Sequence, residues 1–135
     1  MNRRKLLQLT GLSLAFTVTG CSGRQGEGPP TPQPEPDHQI AIENMRSEPV
    51  NMTVAVRREK TGKTVHNQTY TLQPDKTVTA YNTRQANPDG VEEFNVSVTV
   101  DGLADSFTME TDTCQGDILA QVTESDGIDW VWAEC

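Results

Sequence analysis

Residues 94–110 read Phe-Asn-Val-Ser-Val-Thr-Val-Asp-Gly-Leu-Ala-Asp-Ser-Phe-Thr-Met-Glu. Before Asp101-Gly102, apolar residues alternate with polar ones, which is the period of a β-strand with one buried face. Asp-Gly suits a two-residue type I′ turn, because that turn needs positive φ at both positions. The stretch therefore predicts an antiparallel hairpin. Pairing Val100 with Leu103 places Val98 opposite Asp105, Val96 opposite Phe107 and Phe94 opposite Met109, so nearly all large apolar side chains share one face.

The chain after residue 37 repeats this pattern. Residues 38–135 contain 11 Val and 13 Thr but only 3 Leu, a balance that favours pleated strands. Turn signals rich in Gly, Pro, Asn and Asp separate short apolar runs, and no window has a helical period. Strands are predicted at 39–44, 50–56, 64–72, 77–82, 94–100, 105–110, 118–123 and 128–134. The pattern predicts an all-β domain, an antiparallel β-sandwich of seven or eight strands.

Residues 1–20 have the layout of a secretory signal peptide. Arg3, Arg4 and Lys5 precede an apolar-leaning run of 14 residues, which is too short for the roughly 20 residues of a membrane-spanning helix. The run Arg-Arg-Lys-Leu-Leu resembles the twin-arginine export motif. We expect residues 1–20 to be removed.

The end of this segment, Val-Thr-Gly-Cys at 18–21, resembles the lipobox of exported lipoproteins. In that family the cysteine becomes the lipidated first residue of the mature chain. The resemblance implies a lipid on the Cys21 thiol, which would anchor the chain to the cell membrane facing the exterior. Cleavage without lipidation would instead give a secreted protein.

Residues 22–37 contain five Pro, three Gly and no large apolar side chain, so they cannot form a core. Residues 21–37 are therefore predicted to be the lipidated cysteine and its Pro/Gly-rich tether. At about 3.1 Å per residue the tether reaches roughly 50 Å. The folded domain spans 38–135, and in length, strand pattern and export context it resembles the immunoglobulin-like or fibronectin-III-like modules of surface proteins, without the Cys–Trp–Cys spacing of antibody domains.

Once Cys21 is assigned to lipid, Cys114 and Cys135 remain for a disulfide, which persists outside the cell. They flank a predicted hairpin in which Thr123 pairs with Ile128, so they come nearly opposite each other and a small bulge absorbs the difference. Closing a loop of about 20 residues contributes roughly 3 kcal/mol. The bridge pins the last strand, whose two tryptophans at 130 and 132 share a face. We expect both in the core, the alternative being an exposed platform for a carbohydrate or a protein.

Sites for copper, zinc and calcium are the alternatives. A blue-copper site needs a Cys thiolate and two His, usually with an axial Met. His38 lies beside the flexible spacer, His66 shares a strand with Tyr70 and Leu72, and no His follows Cys114, so copper and zinc are disfavoured and a partly buried structural His66 is expected. A calcium site would draw on the acids at two turns, Asp101, Asp105, Asp126 and Asp129, but no ordered loop motif supports it. Asp105 is expected at an edge that water reaches.

Three Asn-x-Ser/Thr sequons lie on predicted strands. Asn51, Asn67 and Asn95 all point away from the apolar face in the predicted strand phases. All three are therefore candidate glycosylation sites.

Charge is distributed unevenly along the chain. The formal charge is −8 overall and −11 without residues 1–20, which argues against nucleic-acid binding. The 51 residues after Arg84 contain 12 acids and no Lys or Arg. Together with the export signals, this acidic surface resembles that of a haloarchaeal surface lipoprotein, for which molar salt screens the self-repulsion.

No catalytic motif or cofactor motif is present: the chain has no Gly-x-Ser-x-Gly, phosphate loop or His-Glu-x-x-His. The sequence favours a non-enzymatic, lipid-anchored extracellular module with a binding or envelope-structural role. Its partners would be the membrane, through the lipid on Cys21, and a protein or carbohydrate at the cell surface. The alternative is a cation- or copper-binding carrier module.

Overall fold

The computed structural model describes residues 33–125 and 127–135. Within them the chain forms eight strands and one short 3₁₀ helix, Thr83–Ala86. The strands are β1 (Gln39–Asn44), β2 (Val50–Arg58), β3 (Thr64–Leu72), β4 (Thr77–Asn82), β5 (Glu93–Val100), β6 (Leu103–Glu110), β7 (Gln115–Val122) and β8 (Ile128–Glu134). Every predicted strand is present, and four have the predicted bounds.

The strands form two four-stranded sheets, in the orders β4-β1-β7-β8 and β3-β2-β5-β6. Their alternate side chains fill the space between the sheets. This core includes Ile40, Ile42, Met52, Val54, Val56, Phe94, Val96, Val98, Val100, Met109, Ile118 and Val122, each at most 1% exposed. The predicted β-sandwich is confirmed, although its strand order differs from the ABED and CFG sheets of antibody constant domains.

The β5–β6 hairpin has the predicted register. Phe94 pairs with Met109, Val96 with Phe107, Val98 with Asp105 and Val100 with Leu103. Asp101 and Gly102 have φ values of 51° and 79°, as a turn with positive φ at both positions requires. Local alternation and turn chemistry therefore determine this hairpin.

Two strand pairings differ from the prediction, one in direction and one in register. β1 lies parallel to β7, with Ile40 paired to Ile118. In the β7–β8 hairpin, Val122 rather than Thr123 pairs with Ile128, one residue away from the prediction. The predicted bulge is present further along, as a register shift between Gln115 and Ile118.

Residues 33–36, in the segment interpreted as tether, contact the domain. Pro34 bridges to Asp112, and the Glu35 amide donates to the Thr111 carbonyl at 2.9 Å. Gln33 and Thr113 are joined by a backbone hydrogen bond from the Thr113 amide, 2.8 Å long. The predicted boundary between tether and domain at residue 38 is therefore too late, since residues 33–35 already pair with residues 111–113.

Candidate functional site

The two remaining cysteines form the predicted bond. The structure joins Cys114 to Cys135, whose Cα atoms are 4.9 Å apart. The Cys135 amide also donates to the Cys114 carbonyl at 3.0 Å, so the end of β8 is held by both a covalent bond and a hydrogen bond. Cys21, the predicted lipidation site, lies outside the described residues.

The histidines weighed as metal ligands have other surroundings. The Tyr70 hydroxyl donates to the Ala80 carbonyl at 3.0 Å and lies 2.8 Å from His66 Nε2. Because the hydroxyl proton is committed to Ala80, His66 Nε2 is the donor to Tyr70. The His66 ring also packs 4.9 Å from that of Tyr81, and burial lowers the His66 pKa. The expected partly buried structural His66 is confirmed.

His38 is only 3% exposed, so its expected position beside a flexible spacer is wrong. The Thr83 amide donates to its carbonyl at 3.0 Å, and its own amide donates to Thr83 Oγ1 at 3.1 Å. Its Nε2 has no hydrogen-bond partner among the described residues. The side chain is inside because His38 continues the inward phase of Ile40 and Ile42.

Two of the four candidate calcium ligands, Asp101 and Asp105, have other partners, and Asp129 is exposed on β8. Asp101 forms an ion pair with Arg46, 2.8 Å from Nη1 to Oδ2. Asp105 is exposed on edge strand β6, as expected, and its Oδ2 accepts from Trp130 Nε1 at 3.3 Å. Asp126 lies outside the described residues. In the described part of the chain, no three His, Cys, Asp or Glu residues are grouped so that they could hold a metal ion.

The three sequon asparagines lie on the outer face of the β3-β2-β5-β6 sheet, as predicted. Asn51 and Asn67 are exposed, and Asn95 is half-buried. Asn51 Oδ1 accepts from Thr71 Oγ1 at 2.7 Å, and Asn95 Oδ1 accepts from Ser97 Oγ at 3.2 Å. These contacts with small hydroxyl side chains leave the three amides at the surface.

An aromatic cluster lines one open side of the sandwich, where β6 and β8 are the edges of opposite sheets. The Phe107 ring lies 5.3 Å from Trp130 and 5.0 Å from Trp132, measured between centroids. Trp132 is 46% exposed and donates through Nε1 to Glu134 at 3.2 Å. The expectation that both tryptophans belong to the core is therefore wrong for Trp132, since an edge strand is covered on only one side.

The outer face of the β4-β1-β7-β8 sheet carries an apolar row that ends at β8. Ala41, Leu119 and Val131 are paired across β1, β7 and β8. They line a shallow groove of about 400 Å³ together with Trp132 and Ala133, and Val131 is 49% exposed. Along β8, apolar side chains thus face both sides of the sheet.

In contrast to the exposed apolar side chains of β8, charged side chains are buried near the start of β5. The Glu92 carboxylate is almost fully buried and accepts from Arg58 Nε at 2.7 Å and from Arg58 Nη2 at 2.6 Å. Arg58 is the main reason that the pKa of Glu92 is lowered. Burial raises the pKa of Glu110, and the neighbouring carboxyls of Asp112 and Glu93 raise it further. This end of the sandwich is a structural polar network.

The open β8 edge with its aromatic cluster is the strongest candidate for a functional surface. From the sequence, an exposed platform of the two tryptophans is only the alternative to a place in the core, and the free strand edge beside them is not predicted. The sequence feature that indicates an exposed edge is the run Trp-Val-Trp-Ala in the last strand, where apolar residues occur at both inward and outward positions.

Comparisons with protein-family models, curated proteins and solved structures find no match to this chain. Within residues 33–125 and 127–135, no helix is long and apolar enough to span a membrane.

Proposed function

We propose that this protein is an exported, lipid-anchored β-sandwich that is displayed outside the cell and has a non-enzymatic binding or envelope-structural role. The observation that carries the proposal is the distribution of its three cysteines. Cys114 and Cys135 are bonded to each other, so Cys21 is the remaining cysteine of the three in the sequence. Cys21 stands in the lipobox-like sequence that follows a signal-like segment. We therefore propose that its thiol carries the lipid.

The disulfide supports export as well. Disulfides form and persist in oxidising compartments and are rare in the cytosol. The bridge ties the end of β8 to the residue before β7. An oxidising compartment outside the cell preserves this covalent constraint.

The proposed tether is shorter than the sequence alone suggests, because residues 33–36 contact the domain. Residues 22–32 then remain as spacer between the lipid and the fold. Eleven residues at about 3.1 Å each reach roughly 34 Å. That length would hold the domain close above the membrane while leaving its β8 edge accessible.

The acidic surface fits a salty exterior. The 51 residues that follow Arg84 contain 12 acids and no Lys or Arg. Their mutual repulsion would be screened at molar salt, where the Debye length is about 3 Å. We therefore expect the domain to unfold at lower urea concentration as salt is reduced from about 2 M to about 0.1 M.

Fractionation of cells that produce variants at the proposed lipidation site tests the anchor. The wild-type chain and the neighbouring control Ser22→Ala are expected in the membrane fraction. Cys21→Ser removes the thiol, so the chain should lose its lipid and leave the membrane, or remain unprocessed with its signal attached. A Cys21→Ser chain that is processed and membrane-bound like the control would contradict the proposal.

The export route has its own test. Replacing Arg3 and Arg4 together by Lys retains both positive charges and removes the guanidinium pair. If the chain uses twin-arginine export, this variant should accumulate as precursor inside the cell, whereas Lys5→Arg should be exported normally. Equal export of both variants would indicate the general secretory route.

A further inference from the structure

Four strands lie at sheet edges, and two of them carry features that discourage pairing with another strand. β6 directs the charged Asp105 inward, and β4 has a register shift beside Ala80. The third edge, β3, exposes mainly the polar residues Thr, Asn and Gln. Inward charges and bulges are standard protections of free edges. β8 is regular and carries Trp-Val-Trp-Ala at 130–133, with Val131 49% and Trp132 46% exposed. It is the most apolar of the four edge strands in the described part of the fold.

The free hydrogen-bonding groups of β8 can be assigned to particular residues. The Gly127 carbonyl accepts from the Thr123 amide and the Cys135 amide donates to the Cys114 carbonyl, each at 3.0 Å. Odd-numbered residues of β8 therefore direct their backbone groups toward β7. Because these groups alternate along an antiparallel strand, the even-numbered residues, including Trp130 and Trp132, direct theirs toward the open edge. Among the described residues, no strand lies on that side.

We propose that β8 pairs antiparallel with β8 of a second copy of this chain. Full overlap of Ile128–Glu134 about a two-fold axis places Val131 opposite its counterpart. Trp130 of each copy then lies opposite Trp132 of the other, which gives two Trp–Trp pairs. Both residues direct their backbone hydrogen-bonding groups across the interface. Aromatic cross-strand pairs are among the more stabilising ones.

The same register avoids facing acids. Asp129 lies on the outer face and Glu134 on the inner face, so in any pairing that matches faces they cannot be opposite each other. With full overlap, Asp129 faces Ala133, and Glu134 faces Ile128. The side chains of β8 are therefore compatible with their own copies at all seven positions.

Pairing would also extend an existing surface. The row formed by Ala41, Leu119 and Val131 ends at the open edge, and a two-fold axis through Val131 would continue it into the second copy. The two sheets would merge into one of eight strands with an apolar band along the outer face. Both copies are acidic, so association should strengthen with salt as their repulsion is screened.

Sedimentation of the purified Cys21→Ser chain over a range of concentrations tests the proposal without the lipid. We expect a monomer–dimer equilibrium that shifts toward dimer as salt rises. Val131→Lys puts like charges opposite each other at the axis and should weaken association at least about tenfold. Val91→Lys is the matched control, because Val91 has nearly the same exposure, 47% against 49%, and lies far from β8 in sequence.

Mixing tests the register directly. Val131→Lys chains and Val131→Glu chains should each be largely monomeric, and their mixture should form dimers because Lys would then face Glu. Hydrogen exchange of the unmutated chain gives a readout that does not depend on any variant. Exchange at the amides of Trp130 and Trp132 should slow with concentration, whereas the Val131 amide, directed at β7, should not change.

Three outcomes would overturn the proposal. They are a Cys21→Ser chain that is monomeric at every concentration and salt, a Val131→Lys chain that associates as well as Val91→Lys, and concentration-independent exchange at Trp130 and Trp132. A mixture that stays monomeric would overturn the register. The inference names a partner for the proposed structural role and rests on it. An unlipidated Cys21 would refute the anchoring and leave these measurements unchanged.

Discussion

Replacing Glu92 by Gln should destabilise the domain by about 3 kcal/mol. The carboxylate accepts two hydrogen bonds from Arg58 and a third from the Asp89 amide at 2.7 Å. Removing one partner of a buried ion pair costs about 3–5 kcal/mol, because the other charge remains buried without compensation. The Arg58 side chain is 19% exposed, so water partly solvates it and the lower end applies.

The effect should depend on pH in a specific direction. The hydrogen bonds from Arg58 hold the pKa of Glu92 below the ordinary glutamate value of 4.5. A carboxyl with a depressed pKa contributes stability that is fully present above the unfolded value and is lost as pH falls through the folded value. The difference between wild type and Glu92→Gln should therefore be largest at about pH 7, shrink as pH falls below 4.5, and be smallest below the folded pKa, where protonated Glu92 and Gln are both neutral.

Urea unfolding followed by tryptophan fluorescence measures both quantities, and an unchanged slope m ensures that the midpoint reports stability. Glu59→Gln is the control, because the Glu59–Arg57 pair lies at the surface and such pairs contribute about 0–1 kcal/mol. A loss for Glu92→Gln within about 1 kcal/mol of the control would refute the reasoning. A large loss that is the same at about pH 7 and about pH 3 would refute its electrostatic part.

Three further substitutions test other parts of the fold by the same unfolding assay. Replacing Cys114 and Cys135 together by Ser should cost about 3 kcal/mol, since they close a loop with a sequence separation of 21; a loss under about 1 kcal/mol would contradict this. Tyr70→Phe should cost about 1–2 kcal/mol by leaving two part-buried groups unpaired, and no loss would show that water replaces the hydroxyl. Asn44→Ala should cost about 3 kcal/mol, because its fully buried amide donates to two backbone carbonyls and accepts from a backbone amide; a loss similar to that of an exposed Asn would be inconsistent with those bonds.

Local features of this fold could be predicted from the sequence because local chemistry determines them. Alternation located all eight strands, and the Asp101-Gly102 turn determined the β5–β6 register. The disulfide followed from a hairpin that brings Cys114 and Cys135 together. Each of these inferences joins residues within about 20 positions of each other.

Long-range arrangement could not be predicted in the same way. A period of two identifies a buried face but not which strand lies beside it, so the parallel pairing of β1 with β7 left no signal. Trp132 is exposed for a related reason, since its exposure depends on β8 being an edge strand. His38 is different, because extending the inward phase of Ile40 and Ile42 by one step would have predicted its burial.

The candidate surface illustrates the same limit. Trp130 and Trp132 were recognised as sharing a face, yet their value for association depends on backbone groups that become free only when β8 has no second neighbour. Whether the backbone groups of β8 are free is determined by the strand order of the sheet and not by the residues of β8.

The decisive test of lipid anchoring is the intact mass of the protein recovered from the membranes of its own cells. We expect a chain that begins at Cys21, carries the mass of a lipid on that residue, and lacks the two hydrogens removed by the Cys114–Cys135 bond. A chain that begins elsewhere, or that begins at Cys21 with no added lipid mass, would contradict it.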